Sequence, residues 1–362
     1  MSFLLDTQGG PDGPRSATSA YHRASRPLRP VALAVLIAVA LLGLVAEAGA
    51  ASRYGSAWAL RSAGVPKTVS PVPQGPVVAV VDSGVDLGHP ALADALWQNP
   101  GEVVNGLDDD GNGFVDDVHG VNLVEPGAPV DDRSGHGTAV AGILAAKPRW
   151  KRRSGVAPHA RIMAVKVLGD HMDGTTADVA RGMRYALQEG AQIINVSLTT
   201  PDDDPAIERV LREAGARGVL VVAAAGNSGA DLGSDKLFPA AYHLPTMLTV
   251  GATDRYGSLI EASAYGDLVD LAAPGLSVPS IRPRARVRSF TGTSAATPFV
   301  AGGAALLWAR RPNATLAQVR RALLRGGRRG ADLRDQVRFG GLDVRRAMRS
   351  LDRTLRASAR AR

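Results

Sequence analysis

No cysteine occurs in the 362 residues, which excludes disulfides, thiolate metal sites and a cysteine nucleophile. The absence does not argue against export, because a chain of this length with 45% hydrophobic residues can bury a core that needs no covalent staples. Aromatic residues make up only 4%, and no aromatic ladder of the kind that stacks single-stranded bases runs among the C-terminal arginines. Those arginines dominate the charge. From Arg282 to Arg362 there are 20 Arg and 4 Asp, a balance of +16, so the rest of the chain carries −8 of the overall +8. Without stacking residues the asymmetry reads as a solvated Arg-rich region, and no nucleic-acid partner is expected. A G-x-S-x-G elbow followed by an acid is also missing, which argues against an esterase of the α/β-hydrolase kind.

What is present falls into segments. Residues 1–30 are polar, with Arg15, Arg23, Arg26 and Arg29. Val31 to Ala46 then runs for 16 residues without a charge, and Ala48-Gly49-Ala50 offers a small-residue cleavage pattern. Residues 31–50 are therefore expected to be a signal peptide or a signal anchor, the latter serving as a membrane tether. Everything beyond is expected to be translocated to the extracellular side or the cell envelope. Residues 51–75 read as a linker. From 76 to 350 the pattern is α/β. Short apolar runs at Val77–Val81, Arg161–Leu168, Ile193–Leu198, Val219–Ala225 and Leu248–Gly251 suit strands buried on both faces. Between them, Thr175 or Thr176 can cap a helix, and Pro205 to Arg217 reads as another. Alternation of this kind predicts a mostly parallel sheet with helices on both faces. Thr315 opens a later helix that ends at Gly326 and Gly327. Residues 351–362 are expected to form a frayed basic tail.

Three segments carry chemistry. In VVAVVDSGVD, Asp82 ends a buried strand, where a carboxylate is costly unless paired. In SGHGTAVAGIL, His136 opens an apolar helix. In SFTGTSAATPFVAGG, Ser294 lies at a helix start, with Pro298 in its first turns. Taken singly, each has an ordinary structural explanation. Together they supply a hydroxyl, a base that can take its proton, and an acid to orient that base.

These segments resemble the three signature blocks of the subtilisin-like serine proteases, whose chain order is Asp, His, Ser. The resemblance extends to NVSL at 195–198, VVAAAGNSG at 221–229, FPAAY at 238–242, TVGATD at 249–254 and LAAPG at 271–275. It implies a three-layer fold over 76–350 and a serine endopeptidase, monomeric, acting on peptides or proteins. It assigns Ser294 as nucleophile, His136 as general base and then acid, Asp82 as orienting carboxylate, and Asn227 as oxyanion donor. By the same resemblance, Ser197-Leu198-Thr199 and Ala224-Ala225-Gly226 line the primary specificity pocket, Thr199 standing where the family usually has Gly. Phe238-Pro239 resembles the family's cis-proline loop. Many relatives carry an inhibitory prodomain, but the 25 residues of 51–75 are too few for one. The rival reading is a catalytically impaired protein of the same fold used for binding, against which the intact set of four residues speaks.

Asp108-Asp109-Asp110-Gly111-Asn112-Gly113-Phe114-Val115-Asp116-Asp117 places five carboxylates within ten residues. Oxygens at Asp108, Asp110, Asn112 and Asp116 follow the alternate spacing of a calcium loop, although His119 stands where a bidentate Glu is expected. A structural calcium site and a solvated acidic loop both remain open.

Overall fold

The computed structural model describes residues 57–67, 75–147 and 154–360. The expectations for residues 1–50 and most of the linker lie outside that range. Among the described residues no helix is long and apolar enough to cross a membrane.

Seven strands form one sheet: β1 (Val77–Asp82), β2 (Gly120–Asn122), β3 (Arg161–Lys166), β4 (Ile193–Val196), β5 (Leu220–Ala224), β6 (Met247–Thr253) and β7 (Leu271–Pro274). Their order is β2-β3-β1-β4-β5-β6-β7, and every neighbouring pair is parallel. The continuous apolar runs follow from burial on both faces. Along β1, Val78 and Val80 join an apolar cluster with α2 (His136–Ala145), α5 (Thr293–Arg310), α6 (Leu316–Gly326) and α7 (Val344–Arg360). Val77, Ala79 and Val81 join another with α3 (Thr176–Gln188) and α4 (Pro205–Ala216). A short α1 (Ala57–Ser62) precedes the sheet, and a separate antiparallel pair, β8 (Val278–Arg282) and β9 (Arg286–Phe290), packs on α2.

Local signals explain the helices. Thr175 caps α3 by accepting from the Asp178 N–H, Asp204 caps α4, and Thr315 with Gln318 forms a complete capping box on α6. The apolar strand runs overshoot, because Leu168 and Leu198 lie past the ends of β3 and β4 while still buried in the core. One expectation is corrected. The tail beyond Leu351 continues α7 to Arg360, because Leu351 is buried and Leu355 packs on the same cluster, so an apolar stripe persists among the arginines.

Candidate active site

Asp82 is the last residue of β1, the strand from which the sheet grows in both directions. Ligands of open parallel sheets gather at such carboxyl ends. Its side chain is fully buried. Oδ1 accepts from the Ser83 N–H at 2.7 Å and from His136 Nδ1 at 2.7 Å, while Oδ2 is buried without a hydrogen-bond partner among the described residues. His136 is 7% exposed, and its imidazole meets the Phe290 ring edge-on, centroids 5.1 Å apart. With Nδ1 committed to the carboxylate, Nε2 is the nitrogen left for proton transfer.

His136 is held by the way α2 begins. A helix leaves its first N–H groups without internal partners, and here side chains supply them. Ser134 Oγ accepts from His136 N, Ser83 Oγ from Gly137 N, and the Asp132 carboxylate from Gly135 N and Thr138 N. Ser83, Ser134 and Asp132 are themselves linked at 2.8 to 3.0 Å. Gly137 follows because a Cβ there would lie 2.1 Å from the Gly84 carbonyl oxygen. Asp132 supports the start of α2 and was not foreseen from the sequence. An Asp three residues before the Gly that opens an apolar helix is a signal that would have pointed to it.

Ser294 lies in the first turn of α5, half-buried. Pro298 has no N–H to give the carbonyl four residues back. That carbonyl, of Ser294, instead accepts from Ser197 Oγ at 3.2 Å, and Ser294 Oγ donates to the Ser197 carbonyl at 2.9 Å. Ser197 thus clasps the serine from both sides, a role not foreseen. Asn227 is tied to the same helix end, because its Oδ1 accepts from Thr293 N at 2.9 Å and from Thr293 Oγ1 at 3.2 Å. With that oxygen occupied, the carboxamide presents its N–H groups as the remaining donors.

The proposed pocket walls leave the same end of the sheet. β4 and β5 are paired with Val196 opposite Ala223, so Ser197-Leu198-Thr199 and Ala224-Ala225-Gly226 emerge side by side. Ser197, Leu198, Ala224 and Gly226 are buried, and Thr199 is half-buried. Gly226 has φ +107°, and a Cβ would lie 2.3 Å from Leu237 Cδ1, so glycine is required there. The Phe238–Pro239 bond is cis.

The acidic loop draws in a carboxylate from outside the expected ligand set. Oxygens of Asp108, Asp110 and the unforeseen Glu102 lie within 4.8 Å of one another. The Asp116 carboxylate accepts from Asn105 N and Gly106 N, and the Glu102 carboxylate from Asp109 N, Asp110 N and Asp116 N. Asn112 Oδ1 accepts from Phe114 N. Asp117 is held by Asn99, Asn112 and the Tyr185 hydroxyl. Beside the loop, burial raises the Glu189 pKa; the Asn112 hydrogen bond opposes this, and the carboxylates of Asp110, Asp117 and Glu102 add to it.

A sequence model described as "Subtilase family" matches residues 73–340. Subtilisin Savinase from Lederbergia lenta is 42% identical over 199 residues, 55% of this chain and 72% of that protein. An alkaline protease from Alkalihalobacillus alcalophilus is also 42% identical over 199 residues, and the match spans 51% of its length. Among solved structures, a cold adapted subtilisin-like serine proteinase superposes with TM-score 0.64 and 27% identity, covering 79% of this chain and 97% of that one. A mutant form of the protease domain of PatA gives 0.63 and 30%, covering 79% and 99%.

Proposed function

The chain belongs to the subtilase family, and on that premise we propose that it is a serine endopeptidase working through Asp82, His136, Ser294 and Asn227. The observation that carries this reading is the buried 2.7 Å bond between His136 Nδ1 and Asp82. It fixes the tautomer in which Nε2 is a free base and stabilises the imidazolium that forms. Ser294 Oγ attacks the scissile carbonyl carbon as its proton passes to Nε2. The oxygen that gains charge is met by the Asn227 amide and by the Ser294 N–H at the positive end of α5. The C–N bond then breaks as Nε2 returns the proton to the leaving amine, and water repeats the sequence on the acyl-enzyme. The reading requires Ser294 Oγ to exchange the Ser197 carbonyl for Nε2 when substrate arrives, and catalytic hydrogen bonds commonly tighten only in the loaded site. Labelling with a fluorophosphonate tests it. The label should map to Ser294 and vanish in Ser294→Ala; a labelled alanine variant would reject the assignment.

Removing the Asn227 donor should cost about 10² to 10³ in kcat, a figure that belongs to subtilisin itself. Asn227→Ala measured on a peptidyl anilide gives the answer, and near-normal turnover would take Asn227 out of the mechanism. Thr199 narrows the pocket, which disfavours large aromatic side chains before the cut. A cleavage profile dominated by Phe or Tyr there would reject this.

The acidic loop is proposed as a structural calcium site held by Glu102, Asp108 and Asp110, an all-oxygen donor set suited to a hard cation. Calcium at about 100-fold over its Kd should stabilise by about 2.7 kcal/mol, raising Tm by about 5 to 10 °C. Glu102→Gln should shrink that rise. The raised Glu189 pKa means its protonated form suits the fold, so without calcium the loop weakens as pH rises through that pKa. A melting curve unmoved by calcium or chelator would count against the site.

A further inference from the structure

The β8–β9 hairpin beside the imidazole carries charges that the chemistry above does not use. In its antiparallel register Arg282 lies opposite Arg286, Ser280 opposite Arg288, and Val278 opposite Phe290. Opposed residues and alternate residues of a strand share a face, so Arg282, Arg286, Arg288 and Phe290 lie on one face of the ribbon. That face is turned toward His136. Phe290 packs edge-on against the imidazole. Arg282 stacks over the Phe290 ring at 5.0 Å, and its Nη1 donates to the Gly135 carbonyl at 2.7 Å. Burial lowers the Arg282 pKa, the charges of Asp132 and Asp82 oppose that, and the charge of Arg288 adds to it.

Arg282 is thus anchored, whereas Arg286 and Arg288 are exposed. Neither takes part in an ion pair among the described residues. Arg284, at the turn, has acidic company instead, since its N–H donates to Asp86 and both border a cavity of about 530 Å³ with Asp131 and Asp132. Among the described residues, the uncompensated positive charge on the His136 side is that of Arg286 and Arg288.

His136 hands its proton to the leaving amine, so the residues behind that amine pass the imidazole and whatever packs beside it. The acyl half stays at Ser294 and Asn227. We propose that Arg286 and Arg288 select substrates with an aspartate or glutamate in the first residues after the scissile bond, an inference that rests on the protease reading of the same site. An exposed ion pair shifts an equilibrium by up to about fivefold, so the two arginines together should give a preference of about three- to tenfold.

The test uses the full chain and two internally quenched peptides, identical except for Asp-Asp or Lys-Lys directly after the cut. Each rate is normalised to a peptidyl anilide, which has no residues on that side and reports the chemistry alone. The acidic peptide should lead in kcat/KM by about three- to tenfold. The lead should shrink near 1 M salt, where the Debye length falls to about 3 Å, and vanish or invert in the double variant R286E/R288E. Turnover of the anilide with equal rates for the two peptides overturns this inference and leaves the protease reading standing. So does an acidic preference unchanged in the double variant. A chain silent toward the anilide and both peptides overturns the protease reading, and the inference with it.

Discussion

His136→Ala should lower kcat by about 10⁶ with the fold retained, the magnitude being that known for the corresponding loss in subtilisin rather than one derived from this geometry. Without the ring, the partner of Ser294 Oγ is the Ser197 carbonyl, which orients a hydroxyl but is far too weak a base to take its proton. The remaining rate comes from the oxyanion donors and binding. The fold should survive because α2 is capped by Ser83, Ser134 and Asp132, not by the imidazole. The buried Asp82 loses one of its two hydrogen bonds but keeps the Ser83 N–H, so a stability loss of about 1 to 3 kcal/mol is expected. Turnover of a peptidyl anilide and a thermal melt check both halves. Activity within a hundredfold of wild type would mean that another group is the base.

Much of this arrangement is legible in the residues, for physical reasons that also explain the gaps. β1, β3, β4, β5 and β6 declare themselves because strands covered on both faces need unbroken apolar runs. β2 has only three residues, and β9 reads Arg-Val-Arg-Ser-Phe, with four of its five side chains at least partly exposed, so neither leaves such a run. The blocks around Asp82, His136 and Ser294 are visible as motifs, but their support is not. Ser83 and Asp132 are 49 residues apart, and Ser197 and Ser294 are 97 apart. Ser83, Asp132 and Ser197 are ordinary polar residues in sequence until the sheet brings the carboxyl ends of its strands together. Glu102 lies outside the ten-residue calcium spacing, and only the folding back of the loop brings it, six positions before Asp108, among the same carboxylates. The C-terminal arginines suggested a frayed end by their charge, yet Leu351 and Leu355, four residues apart, mark the stripe that keeps α7 docked.

Asp82→Asn should lower kcat by about 10⁴, a figure established for the equivalent change in an unrelated serine protease with the same triad logic. The geometry explains why asparagine is not a neutral replacement. Oδ1 accepts from two donors, the His136 ring and the Ser83 N–H, both at 2.7 Å, and Oδ2 is buried with no partner among the described residues. If the amide oxygen takes the Oδ1 position, the tautomer is preserved, but the –NH₂ group is buried where nothing accepts from it, and no negative charge remains to stabilise the imidazolium. If the –NH₂ group takes that position, it faces the Ser83 donor and forces the ring proton onto Nε2, where the base must be vacant. Both orientations suppress proton transfer without removing any substrate contact, so kcat should fall while KM changes little. The two can be separated by ¹⁵N spectra of the imidazole, which report which nitrogen carries the proton. A variant whose kcat stayed within tenfold of wild type would show that the buried carboxylate neither fixes the tautomer nor stabilises the cation, and the assignment of Asp82 would fail.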